Sequence, residues 1–328
     1  MTAIRGGAWL LALGVLLLAF GWHIAVGAKT IPLGTVLEAL IAYDQTTFDH
    51  VVIRDLRLPR ALLAIGVGAA LSVAGALMQG VTRNPLADPG LLGLLVGASF
   101  AVVLFHGFLG WGGAATIPVW AAIGALAGAL AVWSVASAAP GGATPLTLVL
   151  SGAALTGFLS AIISMLHLID EDTFENLRVW LTGTLAGRRT ETALWALPWA
   201  LAGLAVALGA ARQVTALAMG EETATGLGVD VKKLQAAVLF SVVALTAAAV
   251  AVAGPMGFVG LVIPHVVRLF VGQDYRRIVP WSALAGALYM LLADIAARLV
   301  LAPIEVSTGL VTAFLGAPFF VWLVRARL

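Results

Sequence analysis

Ten apolar runs, most of them close to 20 residues long and joined by short polar turns, constrain this chain more than any other feature. They lie near 8–27, 60–80, 90–108, 115–138, 145–168, 190–211, 234–253, 256–271, 280–300 and 307–324. A helix needs about 20 apolar residues to cross the hydrocarbon core. Lipid offers no partners for a bare backbone, so such runs cross as helices. The expected fold is therefore all-α, a polytopic membrane protein of about ten transmembrane helices. Charged residues are 10% of the chain, against roughly 25% in soluble domains. With so many crossings, residues 1–328 form a single transmembrane domain. The first run follows Arg5 and ends at Val26-Gly27-Ala28, which resembles a cleavage site. It is longer than a signal core, so it reads as a span.

An even number of spans puts both termini on one side. If that side is the cytoplasm, ten of the lysines and arginines lie inside and eight outside, a weak positive-inside bias. The outside group includes Arg54, Arg57, Arg60, Arg188 and Arg298. Small residues recur at packing distance, as in Gly66, Ala70 and Ala74, Gly93 and Gly97, and Gly124 and Gly128; this spacing lets helices approach closely in lipid. Residues 69–75 are echoed by 247–254, each closing a span before a Gly/Pro turn. The two spans run in opposite directions, the pattern of inverted-repeat halves.

Several chemistries find no support. There is no cysteine, hence no disulfide framework. No G-x-x-x-x-G-K-[ST] loop occurs, so the chain itself hydrolyses no nucleotide. His23, His50, His106, His167 and His265 lack metal-ligand spacing, and Ser151 and Ser160 lack a neighbouring base. No catalytic residue, metal or cofactor is expected, and the net charge of +2 suggests no nucleic-acid partner.

Four polar stretches stand out. Gly220-Glu221-Glu222-Thr223-Ala224-Thr225-Gly226-Leu227-Gly228 sits within the polar region 212–233. Two glutamates suit a helix start and two glycines suit its stop, so a short helix is expected at one membrane face. In 82–90, Pro85 and Pro89 forbid a continuous helix while Asn84 and Asp88 close local turns. The segment 169–191 carries Asp170, Glu171, Asp172 and Glu175, then Arg178, Arg188 and Arg189, with a short half-buried helix expected at 177–181. Asp294 and Arg298 lie four apart inside a span. Intramembrane charge marks a functional candidate, and mutual pairing is the structural alternative.

Together these stretches resemble a known family. Arg57-Leu58-Pro59-Arg60 starts a span; Met78-Gln79-Gly80 and Arg83-Asn84-Pro85-Leu86-Ala87-Asp88-Pro89-Gly90 follow. Later come Gly254-Pro255-Met256-Gly257-Phe258-Val259-Gly260, Leu292-Ala293-Asp294-Ile295-Ala296-Ala297-Arg298 and Thr312-Ala313-Phe314-Leu315-Gly316-Ala317-Pro318. The chain resembles the FecCD-type permeases of bacterial ABC importers, which carry ferric siderophores, haem or cobalamin. Within that family it is most similar to ferric-enterobactin permeases, through stretches such as Gly97-Ala98-Ser99-Phe100-Ala101 and Thr223-Ala224-Thr225.

The resemblance implies an inner-membrane permease subunit, with cytoplasmic termini and ATP hydrolysis on separate subunits. Its implied partners are cytoplasmic ABC ATPases, a periplasmic or lipoprotein substrate-binding protein and a second permease subunit, a paralogue rather than a second copy. It assigns Gly220–Gly228 to ATPase coupling, and Arg57, Arg60 and Arg298 to carboxylates of the binding protein. For the last three, internal pairing with Asp55, Asp294 and nearby acids is the alternative. Met165, His167 and Arg178 are candidates for the cargo route. An ion-coupled carrier and a membrane-embedded enzyme are the rival classes.

Overall fold

The computed structural model describes residues 2–27, 29–90, 92–140, 142, 144–169, 179–188 and 190–327. Among the described residues, seven helices are long and apolar enough to cross a membrane, and three shorter apolar helices accompany them. In chain order these are α1 (Thr2–Ala25), a short surface helix α2 (Leu33–Ile41), α3 (Phe48–Val81), α4 (Leu94–Phe108), α5 (Ile117–Ala138), α6 (Pro145–Ile169) and α7 (Thr190–Ala218). There follow a six-residue helix α8 (Glu221–Gly226), then α9 (Val231–Ala253), α10 (Val259–Val271), α11 (Tyr275–Leu299) and α12 (Thr308–Arg327). Setting aside α2 and α8, ten helices match the ten apolar runs.

Contacts fix which ends lie together. His23 near the end of α1, Arg60 early in α3 and Asp294 late in α11 meet at one face. Trp9 stacks on Trp281, with ring centroids 4.1 Å apart, toward the other. Thr215 near the end of α7 reaches Asp274 and Tyr275 at the start of α11, so α8 lies on that second face. Phe105 near the end of α4 stacks on Trp111 in the following turn and on Trp120 in α5; amphipathic tryptophan rings are expected at a membrane–water boundary.

The helices start and stop for local reasons. Asp230 caps α9 by accepting from the Lys233 N–H, and Asp274 caps α11 by accepting from the Arg276 N–H. Those hydrogen bonds, with the Arg276 side chain leading at Asp274, hold both carboxyls below their ordinary range. Pro59 has no N–H to give, and α3 widens just before it: the Leu58 N–H bonds to Ile53 O, five residues back.

Two units repeat. α3 and α9 are the most buried long helices, and each leads through a Gly/Pro turn to a short helix. That short helix is capped by a left-handed residue, Gly93 (φ 79°) for α4 and Phe258 (φ 68°) for α10. A further long helix follows in both, α5 or α11. The first half of α3 packs beside the last residues of α9, so the units run in opposite senses. The turn after α3 rises from the α8 face until Gly93 lies against Gly128, midway along α5. The turn after α9 descends from the arginine face, where Gly254 abuts the Trp180 carbonyl. Gly90 and Gly257 then come together inside the bundle. Non-helical backbone at this depth is tolerated only where protein buries it or a cavity receives it.

Packing is close because glycines face glycines. Gly68 lies on Gly286, Gly75 on Gly260, and Gly97 on Gly124. A Cβ on Gly286 would meet the Gly68 carbonyl and the Ser72 hydroxyl. Replacing Gly286 by Val should therefore cost about 1–3 kcal/mol through overpacking, whereas Gly66→Ala, with open space around its Cβ, should be nearly neutral. Thermal melts of the two purified variants check this; equal melting temperatures would show that the α3–α11 approach is not tight.

Candidate functional site

Three regions hold the polar chemistry. At the arginine face, the fully buried Asp294 carboxylate gathers donors from four helices. Arg60 approaches as a fork, Nε to Oδ2 at 2.8 Å and a terminal nitrogen to Oδ1 at 3.0 Å. His23 Nε2 lies 2.9 Å from Oδ2, the Thr308 hydroxyl donates to Oδ1 at 2.8 Å, and Arg298 Nε lies 3.3 Å from Oδ2. Two arginines around one carboxylate leave a positive excess, and Glu305 answers part of it at 2.8 Å from Arg60.

The three arginines expected to dock a partner do converge here, and their forks are engaged within the chain. Arg57 is buried and donates to the carbonyls of Ile24, Ala25 and Lys29. Arg298 donates to the carbonyls of Val26 and His23, so it clamps the end of α1 as well as pairing with Asp294. Asp55, offered as a partner for Arg57 and Arg60, instead accepts from the Tyr43 hydroxyl. His23, Thr308 and Glu305 escaped the sequence reading. Only His23 carried a signal, as a polar residue closing an apolar run.

Beside the two broken turns lies a cavity of about 490 Å3, open on the side where Ser160 and Ser164 are exposed. Asp88, Pro255, Gly257 and Phe258 form its base, with Ser99 on α4 and Thr156, Ser160 and Ser164 on α6. The turn chemistry follows the sequence: Asn84 accepts from the Leu86 N–H and Asp88 from the Gly90 N–H. The Asp88 carboxylate lies over Gly260 at the start of α10, where the helix dipole favours an anion. Gln79 locks the other side by donating to the Gly260 carbonyl. Of the expected route residues, Met165 is exposed on α6 and His167 is half-buried; neither is among the described residues lining this cavity. Arg178 lies outside the described residues, as do Asp170, Glu171, Asp172, Glu175 and Arg189. Helix is present at 179–181, with Trp180 buried.

At the opposite face, α8 carries Glu221 and Glu222 exposed in its first turn. Gly220 (φ 131°) opens it and Gly228 (φ 80°) closes the turn after it, both in conformations that favour glycine. Gly226 is instead the last helical residue. Ala224, fully buried, is the anchor, leaving Thr223, Thr225 and Leu227 exposed. The helix is thus seated by one residue and offers the rest to the outside.

Removing the Asp294 charge as Asn would keep the side chain's shape and leave the Arg60 and Arg298 charges buried without it. The expected loss is about 3–5 kcal/mol, against at most about 1 kcal/mol for breaking the exposed Lys29–Asp49 pair with Lys29→Ala. Thermal unfolding of both variants makes the comparison; an Asp294→Asn melt equal to wild type would show that the network is not structural.

The comparisons agree with this architecture. The family model described as the FecCD transport family matches residues 15–326. An iron(3+)-hydroxamate import system permease protein, FhuB of Bacillus subtilis, is 41% identical over 99% of this chain and 83% of its own length. A ferric enterobactin transport system permease protein, FepD of Escherichia coli, is 40% identical over 95% of this chain and 93% of its own. A solved metal-chelate type ABC transporter in an inward-facing conformation superposes with a TM-score of 0.78 at 29% identity, covering 96% of this chain and 97% of that one. With the ten apolar helices, the two opposed repeats and the family match extending over nearly its whole length, the chain belongs to the FecCD transport family.

Proposed function

We propose that this chain is the membrane-spanning permease subunit of an ATP-driven importer for a ferric siderophore of catecholate type. Haem or cobalamin is the alternative cargo within the same family. ATP is hydrolysed on a separate cytoplasmic ABC ATPase, and a second permease subunit, a paralogue in preference to a second copy, completes the pathway. The protein sits in the bacterial inner membrane with the α8 face and both termini in the cytoplasm.

One observation carries the reading: α8 is a six-residue helix, held by buried Ala224 and otherwise turned outward between two spanning helices. A rigid projection on a membrane domain suits the transmission of movement from a partner. On this reading Gly220–Gly228 seats on the ATPase. The cavity between the broken turns and α6 belongs to the cargo route, and Met165, His167 and Arg178 extend that route along α6 and the segment after it. The hydroxyl-bearing wall is nearly uncharged, which suits passage of a large chelate without tight capture.

The experiment is uptake of a ferric catecholate by the reconstituted transporter with its ATPase. Glu221→Lys with Glu222→Lys should reduce transport and cargo-stimulated ATPase activity at least about tenfold, while binding-protein affinity stays unchanged. Wild-type uptake in the double variant would remove α8 from the coupling contact. Accumulation of haem or cobalamin, with none of the ferric chelate, would move the cargo to the alternative.

The arginine face is the proposed dock for the periplasmic or lipoprotein binding protein. Arg57, Arg60 and Arg298 then act from positions already braced by Asp294 and backbone carbonyls, so they supply positive potential and a fixed shape. Such charge acts mainly on association rate. Arg57→Glu with Arg60→Glu and Arg298→Glu should slow association at low salt and flatten its salt dependence. An unchanged rate and salt slope in a variant that still assembles with the ATPase would refute the docking role.

A further inference from the structure

Two hollows on the flank of the bundle adjoin, sharing Pro59 and Leu63. The first, about 410 Å3, is a groove between α3, α7 and α9 with an almost wholly apolar lining. Its hollowness comes from small residues: Gly66 and Ala70 on α3, Ala193 and Ala200 on α7, and Ala248 and Ala249 on α9. Leu62, Leu194 and Leu197 at its rim are strongly exposed, so it opens on the outer surface of spanning helices. The second, about 330 Å3, carries Arg57, Arg60, Arg188 and Arg298 with Asp55 and Glu305, among apolar side chains such as Leu56 and Leu185.

Arg188 differs from the other arginines there. Its Nε donates to the Thr184 carbonyl at 2.9 Å, and its terminal nitrogens find no acceptor among the described residues. No carboxylate pairs with it among the described residues, and burial pulls its pKa down to about 10. The carboxylates at hand are committed: Asp294 and Glu305 to Arg60, and Asp55 to Tyr43. Among the described residues of this hollow, Arg188 is thus the arginine whose terminal nitrogens are not engaged. α7, a 29-residue helix, begins two residues later at Thr190, and the positive end of its dipole adds to the field, offset in part by exposed Glu191 in its first turn.

We propose that these joined hollows bind an anionic phospholipid, one acyl chain in the α3–α7–α9 groove and the phosphate on the free fork of Arg188. A guanidinium with open terminal nitrogens matches phosphate geometry. A protein carboxylate could meet Arg188 but would leave the groove unfilled. The groove lies along spanning helices, where an acyl chain is the apolar group at hand. A lipid wedged here touches α3, α7 and α9 together, and so sits where the two repeat units meet.

The test uses the full transporter with its ATPase, held in phosphatidylcholine nanodiscs, with phosphatidylglycerol added as probe. Native mass spectrometry reads the lipid retained. Wild type should keep phosphatidylglycerol in preference to phosphatidylcholine. Arg188→Gln should cut that retention at least about tenfold, and Arg188→Lys should keep part of it. Gly66→Leu, where the added side chain enters open space, should reduce retention of either lipid. Equal retention of the two lipids by wild type overturns the proposal without any variant. So does unchanged retention in Arg188→Gln or Gly66→Leu. Loss of binding-protein association in Arg188→Gln, with phosphatidylglycerol retained, would assign the polar hollow to a protein carboxylate and overturn the lipid reading.

Discussion

One fully buried carboxylate ties the arginine face together. Asp294 is approached by His23 from α1, Arg60 from α3, Arg298 from its own helix and Thr308 from α12. Burying a charge is costly unless it is paired and its remaining lone pairs are filled; here several donors fill them. The cost of separating any one helix is therefore electrostatic as well as steric. Arg57 and Arg298 extend the same tie to the backbone at the end of α1, donating to the carbonyls of Ile24 and Val26. These charges are accordingly structural in the state described, and any role toward a partner is built upon that structure.

The middle of the bundle is governed by a different constraint. Apolar helices in lipid gain little from hydrophobic exclusion and depend on close packing. Glycine pairs supply it, bringing α3 against α11 and α10, and α4 against α5. The same closeness leaves room for two non-helical turns to enter from opposite faces. Their polar atoms are met locally, by Asn84 and Asp88 within the first turn and by Gln79 on Gly260 at the second. A cavity with hydroxyls along one side opens where they meet. Helices thus flank a pair of breaks whose non-helical backbone borders a cavity.

The two faces contrast in how firmly they are held. The arginine face is locked by buried ion pairs. The α8 face is fastened by caps and by one alanine, with both glutamates exposed. α8 joins α7 and α9, which also wall the apolar groove; on the proposed coupling role, a partner that grips α8 would act on these two helices.

The sequence determined which residues form apolar helices, because lipid leaves helix as the solution for ten such runs, and the boundaries agree to within a few residues at most ends; among the described residues, seven of these helices are long enough to cross. It also determined the turns at Asn84 and Asp88, the short α8, and the Asp294–Arg298 pair, since these depend on neighbours in the chain. The opposed repeats were legible only as a faint echo between 69–75 and 247–254. The tertiary structure alone decided that Arg57 serves backbone carbonyls, that Arg60 grips a carboxylate 234 positions away, and that the terminal nitrogens of Arg188 meet no acceptor among the described residues. It also decided that Ser160 and Ser164 face the cavity while Met165, on the same helix, does not line it. The reason is geometric. A side chain's type is written locally, but its partner is set by which helix faces arrive beside it, and that depends on glycine contacts between segments far apart in the chain.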